Sequence, residues 1–188
     1  MVRTFIAIKI DHDENLRNIF NRLKRRLRND KIRWSDISKL HITLKFLGDV
    51  EEEKIPLISE KLDIVAGDVS QFSFKLSGAG VFRSISYPKV FWVGTKESEK
   101  LRRLAERIQD ELTEIGIEKD EKIFRPHLTL GRMKGIEDKV TLREVLSDYK
   151  DFEFKKVFVD ELIFYESILD SKGAVHKSIS NHRLNEKE

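Results

Sequence analysis

Two histidines at matched positions are the residues of this chain best suited to chemistry. His41-Ile42-Thr43-Leu44 recurs as His127-Leu128-Thr129-Leu130, 86 residues later (127 − 41). Phe91-Trp92-Val93 follows Phe5-Ile6-Ala7 at the same interval (91 − 5), so the repeat is longer than four residues. Along an extended strand residues i and i+2 share a face, which turns each His and Thr one way and the two apolar side chains the other. Two such strands offer two imidazoles and two hydroxyls to a common cleft.

Opposed imidazoles suit in-line displacement at phosphorus, where the nucleophile enters on one side and the leaving oxygen departs on the other. With an ordinary pKa near about 6.5, one ring can take a proton from water while the other, protonated, gives one to the leaving alkoxide. That chemistry asks for no metal and no cofactor. Thr43 and Thr129 stand where their hydroxyls can bond the non-bridging oxygens, although threonine also favours strands for packing reasons alone. Zinc is the competing use of a histidine cluster. Each motif carries one His, no carboxylate at i+2 or i+4, and there is no Cys in the chain, which is a poor ligand set. The Gly-x-Ser-x-Gly elbow, the Walker A loop and the dinucleotide glycine fingerprint are all missing.

Flanking residues add charge and stacking surface. Arg125 precedes His127 by two residues and is expected on its face of a regular strand; Arg132 follows Thr129 by three. Either guanidinium can grip a phosphate bidentately, and either can equally be an ordinary surface arginine. Trp34 and Phe46 are candidates to stack on a base, or to sit in the core. The basic run from Arg22 to Arg33, with Lys24, Arg25, Arg26 and Arg28, is either an RNA-backbone contact or the solvated side of a helix.

The elements that must position these groups follow from hydrophobic spacing. Thr4 to Ile10 is a β-branched strand, and Asp11 with Glu14 resembles a cap opening a helix that carries Leu16, Ile19, Phe20, Leu23 and Leu27. The His41 strand is expected from Leu40 to Leu47, stopped by Gly48-Asp49. A second helix carries Ile55, Ile58, Leu62 and Val65, with Pro56 delaying its start or kinking it. Phe72 to Leu76 and Gly80 to Phe82 form a third strand. The order then replays: strand Val90 to Val93, a helix with Leu101, Leu104, Ile108 and Leu112 closed by Gly116, the His127 strand, a helix with Val140, Val145, Leu146 and Tyr149, and Phe152-Glu153-Phe154 echoing Phe72-Ser73-Phe74. Val157 to Tyr165 and Ala174 to Ile179 are further strands, and Asn185 to Glu188 a frayed tail. The pattern predicts an α+β fold of duplicated β-α-β-α-β units, about residues 1–82 and 88–165 with C-terminal strands within 157–179. Two pseudo-symmetric lobes of one domain, residues 1–188, would enclose a central cleft with largely antiparallel sheets inside and helices outside.

Composition sets loose bounds. The 188 residues carry a formal charge of +3, which permits a phosphate-bearing partner without demanding one. The lack of cysteine fits a reducing compartment, no apolar run approaches a membrane span, and Met1 leads directly into a strand, so a cytoplasmic protein without membrane partners is expected.

Leu40-His41-Ile42-Thr43-Leu44-Lys45-Phe46-Leu47-Gly48 and Arg125-Pro126-His127-Leu128-Thr129-Leu130-Gly131-Arg132 resemble the two signature segments of the two-histidine phosphoesterases, in particular the RNA 2′,3′-cyclic phosphodiesterase branch, also called the 2′-5′ RNA ligase family. Arg3 to Ile8 resembles that family's opening strand, and Tyr165-Glu166-Ser167 with Gly173 its closing segment. The resemblance implies metal-independent opening of a 2′,3′-cyclic phosphate on an RNA end, or on related nucleotides including tRNA fragments, to a 2′-phosphomonoester. It casts His41 as the proton donor to the leaving 3′ oxygen and His127 as the acceptor that activates water. One departure is His176, where a tyrosine is expected. Two other functions use the same donors: a non-catalytic clamp for an RNA end or nucleotide phosphate, and a 2′-5′ RNA ligase.

Overall fold

A computed structural model describes residues 1–170 and 173–186. Nine strands and four helices alternate along the described chain: β1 (Val2–Lys9), α1 (Glu14–Arg26), β2 (Lys31–Trp34), β3 (His41–Val50), α2 (Ile55–Asp68), β4 (Phe72–Phe82), β5 (Val90–Lys96), α3 (Glu99–Thr113), β6 (Leu128–Gly135), α4 (Lys139–Asp148), β7 (Glu153–Val159), β8 (Glu161–Asp170) and β9 (Gly173–Arg183). None of the described helices is long and apolar enough to cross a membrane.

Local sequence explains most boundaries and corrects several expected ones. The Asp13 side chain, not Asp11, caps α1 by accepting from the Leu16 amide at 2.8 Å, because the Ile10 amide is still engaged with the Leu40 carbonyl and the chain turns later. Pro56 goes with the later of the expected starts, since α2 begins at Ile55, beyond Glu51. It occupies the first turn, where its missing N–H would have had no partner anyway. Strand β3 runs through Gly48 rather than stopping there; Gly48 takes φ +73° at a register shift against β1, a conformation open to glycine. Val140 is exposed at the start of α4, whose inner face is Leu142 and Val145.

The strands form two antiparallel sheets in the orders β3-β1-β8-β9 and β2-β6-β5-β4-β7. Laying β1 on β5 brings β3 onto β6, β8 onto β4 and β9 onto β7, with β2 an addition at one edge. The fold is therefore α+β with two duplicated lobes, and the halves exchange strands: β2 and β4 of the first half join the sheet of β5 and β6, and β8 and β9 of the second join the sheet of β1 and β3. The echo between Phe72-Ser73-Phe74 and Phe152-Glu153-Phe154 does not mark equivalent strands: Phe74 on β4 pairs with Val157 on β7 within one sheet. The single strand expected over Val157 to Tyr165 is two strands broken at Asp160.

Helices cover the outer faces. α2 packs on α3 and against β8 and β9, α3 also meets β3, and α1 meets α4 and β7. Apolar side chains from both sheets, among them Leu44, Phe74, Phe91, Leu130 and Phe164, join one buried core. The chain end is not frayed at Asn185, whose amide donates to the Ala66 and Val69 carbonyls and whose carbonyl accepts from Gln71. Lys187 and Glu188 of the expected tail lie outside the described residues.

Candidate active site

His41 opens β3, and His127 stands one residue before β6. In both, the alternating pattern sends the flanking Ile42 and Leu44, or Leu128 and Leu130, into the core and leaves His and Thr on the concave side. The backbone then fixes each ring in the same way. His41 Nδ1 donates to the Lys39 carbonyl at 2.9 Å and His127 Nδ1 to the Arg125 carbonyl at 2.8 Å, in each case two residues back. A carbonyl oxygen only accepts, so Nδ1 carries the proton and Nε2 remains for chemistry.

The approaches to the two histidines differ. His41 follows a short 3₁₀ turn, Ile37–Lys39, capped by the Asp36 carboxylate. The bonds to the Ser38 hydroxyl and amide hold that carboxyl below its usual range. His127 follows residues 117–126, which contain no helix or strand. This segment is held by Lys45 of β3, a buried lysine whose ammonium donates to the Glu118 carbonyl at 2.9 Å and the Asp120 carboxylate at 3.1 Å. One lobe thus braces the histidine of the other.

Both histidines, Thr43 and Thr129 line a single cleft of about 840 Å³. Arg132, Trp34 and Phe46 line it too, joined by Arg3, Arg33, Lys39 and His176. Phe46 is exposed, with the Arg3 guanidinium 5.0 Å over its ring. Trp34 has a foot in the core, edge-on to Phe20 and Phe91 at 5.5 and 6.0 Å. Arg125 is not on the cleft. Strand β6 begins only at Leu128, so the i, i+2 rule does not reach back through Pro126, and Arg125 lines a neighbouring hollow instead. The basic residues of α1 also lie elsewhere: Arg26 pairs with Asp148 at 2.6 Å and Lys24 lies over the Phe20 ring.

Arg3 and Lys39 were not singled out from the sequence, and Arg33 was grouped with the α1 run. Arg3 shares the i, i+2 face of Phe5 on β1, and Arg33 stands opposite Arg132 across β2 and β6, a pairing that needs the sheet order to be seen. His41 is half-buried against Phe5, with ring centroids 5.0 Å apart, and His176, 5.2 Å apart and edge-on. Burial pushes the His41 pKa down, against the Lys39 carbonyl bond that raises it. His176 is pushed down to about 4, mainly by burial and then by the charges of His41 and Lys39, so it is neutral at pH 7. Among the described residues His127 meets a single ring, Phe82, edge-on at 4.7 Å. Among the described residues no three His, Cys, Asp or Glu side chains gather as a metal site would require.

A tandem fold with paired histidines over a basic cleft defines a phosphoesterase class, and the chain belongs to the LigT-like phosphoesterase family. The family model matches twice in succession, over residues 8–92 and 93–176, one copy per half. A protein of Thermotoga maritima called RNA 2′,3′-cyclic phosphodiesterase is 35% identical over 178 residues, covering 94% of this chain and 92% of its own. One of Archaeoglobus fulgidus with the same name is 33% identical, covering 95% and 98%. Among solved structures, a protein of Thermus thermophilus matches with a TM-score of 0.80 at 25% identity, covering 97% of each chain. E. coli LigT complexed with 3′-AMP shares the fold at a TM-score of 0.76 and 23% identity, covering 97% of this chain and 98% of that one.

Proposed function

We propose that the protein is an RNA 2′,3′-cyclic phosphodiesterase that opens the ring with water and two histidines, without a metal. His127 Nε2 takes a proton from water as the oxygen attacks phosphorus, the P–O3′ bond breaks, and protonated His41 gives its Nε2 proton to O3′. The products are a 2′-phosphomonoester and a 3′-hydroxyl. Thr43 and Thr129 hydroxyls, with Arg132 and Arg3 nearby, hold the non-bridging oxygens as charge builds on them. Phe46 and Trp34 offer faces to the terminal base.

The observation that carries this reading is the matched backbone tie: each imidazole donates Nδ1–H to the carbonyl two residues back, which leaves two Nε2 atoms for one cationic cleft. The relatives' shared name supports the substrate class. The role assignment follows the family resemblance and agrees with the half-buried setting of His41, since a ring with a depressed pKa is the stronger acid once protonated. The test is to incubate the purified protein, in EDTA, with an RNA ending in a 2′,3′-cyclic phosphate and look for a new 2′-phosphomonoester. Binding without turnover would mark a phosphate clamp. A joined product with an added 5′-hydroxyl RNA would mark a ligase.

A further inference from the structure

A second hollow lies on the concave side beside the cleft, with a volume of about 490 Å³. Its wall includes Arg125 and Pro126, the residues directly before His127, so one short stretch of backbone separates it from the catalytic cleft. Phe82 joins the two by packing on Trp92 at 5.5 Å on the hollow side and on His127 at 4.7 Å on the cleft side.

The chemistry of the hollow is one-sided. Lys96, Arg102, Arg125 and Lys150 line it, and among the described residues no Asp or Glu does, in a chain whose totals are 36 basic and 33 acidic residues. Lys96 and Arg102 have surface ion pairs, with Asp151 at 3.2 Å and Glu99 at 3.6 Å. Arg125 and Lys150 are in no ion pair among the described residues. Trp92 and Phe124 supply aromatic walls. The indole lies directly on the sheet, because a Cβ at Gly80 would come within 2.2 Å of its ring. The Trp92 indole N–H and the Ser77 hydroxyl, both in this wall, are buried without a hydrogen-bond partner.

Aromatic walls with cations and no anions fit single-stranded nucleic acid, in which each base offers a flat face and each linkage a negative charge. We infer that the hollow binds the nucleotides immediately upstream of the reacting end, so that the substrate is an RNA strand rather than a free nucleotide. This rests on the phosphodiesterase reading for the placement of the cyclic phosphate between His41 and His127. The strand then crosses Pro126 and Phe82, with its upstream phosphates against Arg102 and Lys150 and a base against Trp92 or Phe124.

The experiment compares a mononucleoside 2′,3′-cyclic phosphate with a five-nucleotide RNA bearing the same end, on wild type and on the surface double variant Arg102→Glu/Lys150→Glu. The expected result is a KM for the RNA raised about tenfold, from the loss of about two phosphate contacts, with kcat/KM for the mononucleotide within twofold. An unchanged KM for the RNA, or an equal loss on both substrates, overturns the inference while leaving the phosphodiesterase reading in place. Fluorescence polarisation with a 5′-labelled five-nucleotide RNA ending in a plain 3′-hydroxyl makes the test independent of turnover. Binding weakened about tenfold by the double variant, with a salt slope reduced by about 1.4, supports the inference. Equal binding by both proteins overturns it even if neither hydrolyses anything.

Discussion

The two sides of the cleft share a backbone device and differ in nearly everything else. His41 and His127 are tied through Nδ1 to the carbonyl two residues back, at 2.9 and 2.8 Å. Yet His41 is walled by Phe5 and His176, with Tyr165 6.4 Å away, whereas the ring beside His127 among the described residues is Phe82. The source of the difference is the sheet neighbours. Strands β8 and β9 bring Tyr165 and His176 to one ring, and β4 brings Phe82 to the other. The duplicated motif thus sets the tautomer, and the neighbouring strands that bury His41 set how readily that ring holds a second proton.

The largest effect that sharpens this contrast is on turnover. His41→Ala and His127→Ala are each expected to lose about 10²-fold or more. With a phosphodiester whose leaving group is a nitrophenolate, which departs without a proton, the His41→Ala deficit should shrink below tenfold while that of His127→Ala stays. Equal deficits on both substrates would break the assignment of roles. Next is the brace across the lobes. Lys45→Met removes the support of the segment entering His127 and should lower kcat about tenfold, by loosening the general base. A loss confined to KM would show that the brace serves binding instead.

A pH profile compares the rings directly. The donor must be protonated, and burial holds the His41 pKa below its ordinary value, so kcat/KM should fall as pH rises through a point on the acid side of about 6.5. A bound phosphate favours the imidazolium, so the matching limb of kcat should lie at higher pH. A kcat/KM that holds level to pH 8 would break the acid role. The smallest effect is at His176, neutral above about pH 4. His176→Phe should change kcat less than threefold at pH 7, and a larger loss would make it a partner of His41 rather than part of its wall.

Much of the site was legible because strand alternation is local: knowing that Ile42 and Leu44 go inward is enough to turn His41 and Thr43 outward. Helix spacing was legible for the same reason. What escaped depends on pairing between distant segments. Nothing near Phe72 says that β4 joins β5 and β7, nor near His176 that β9 brings it against His41. Arg125 escaped for a local reason. Alternation was extended through Pro126, and the strand begins only after it.

The crossing of β4 and β8 between the sheets has a bearing on how the protein is made. A nascent chain that has emerged only as far as β4 has a strand whose neighbours, β5 and β7, do not yet exist, and its β1 waits for β8. His41 cannot face a finished wall until the last hairpin leaves the ribosome, so a product terminated before β8 would present His127 without its finished counterpart.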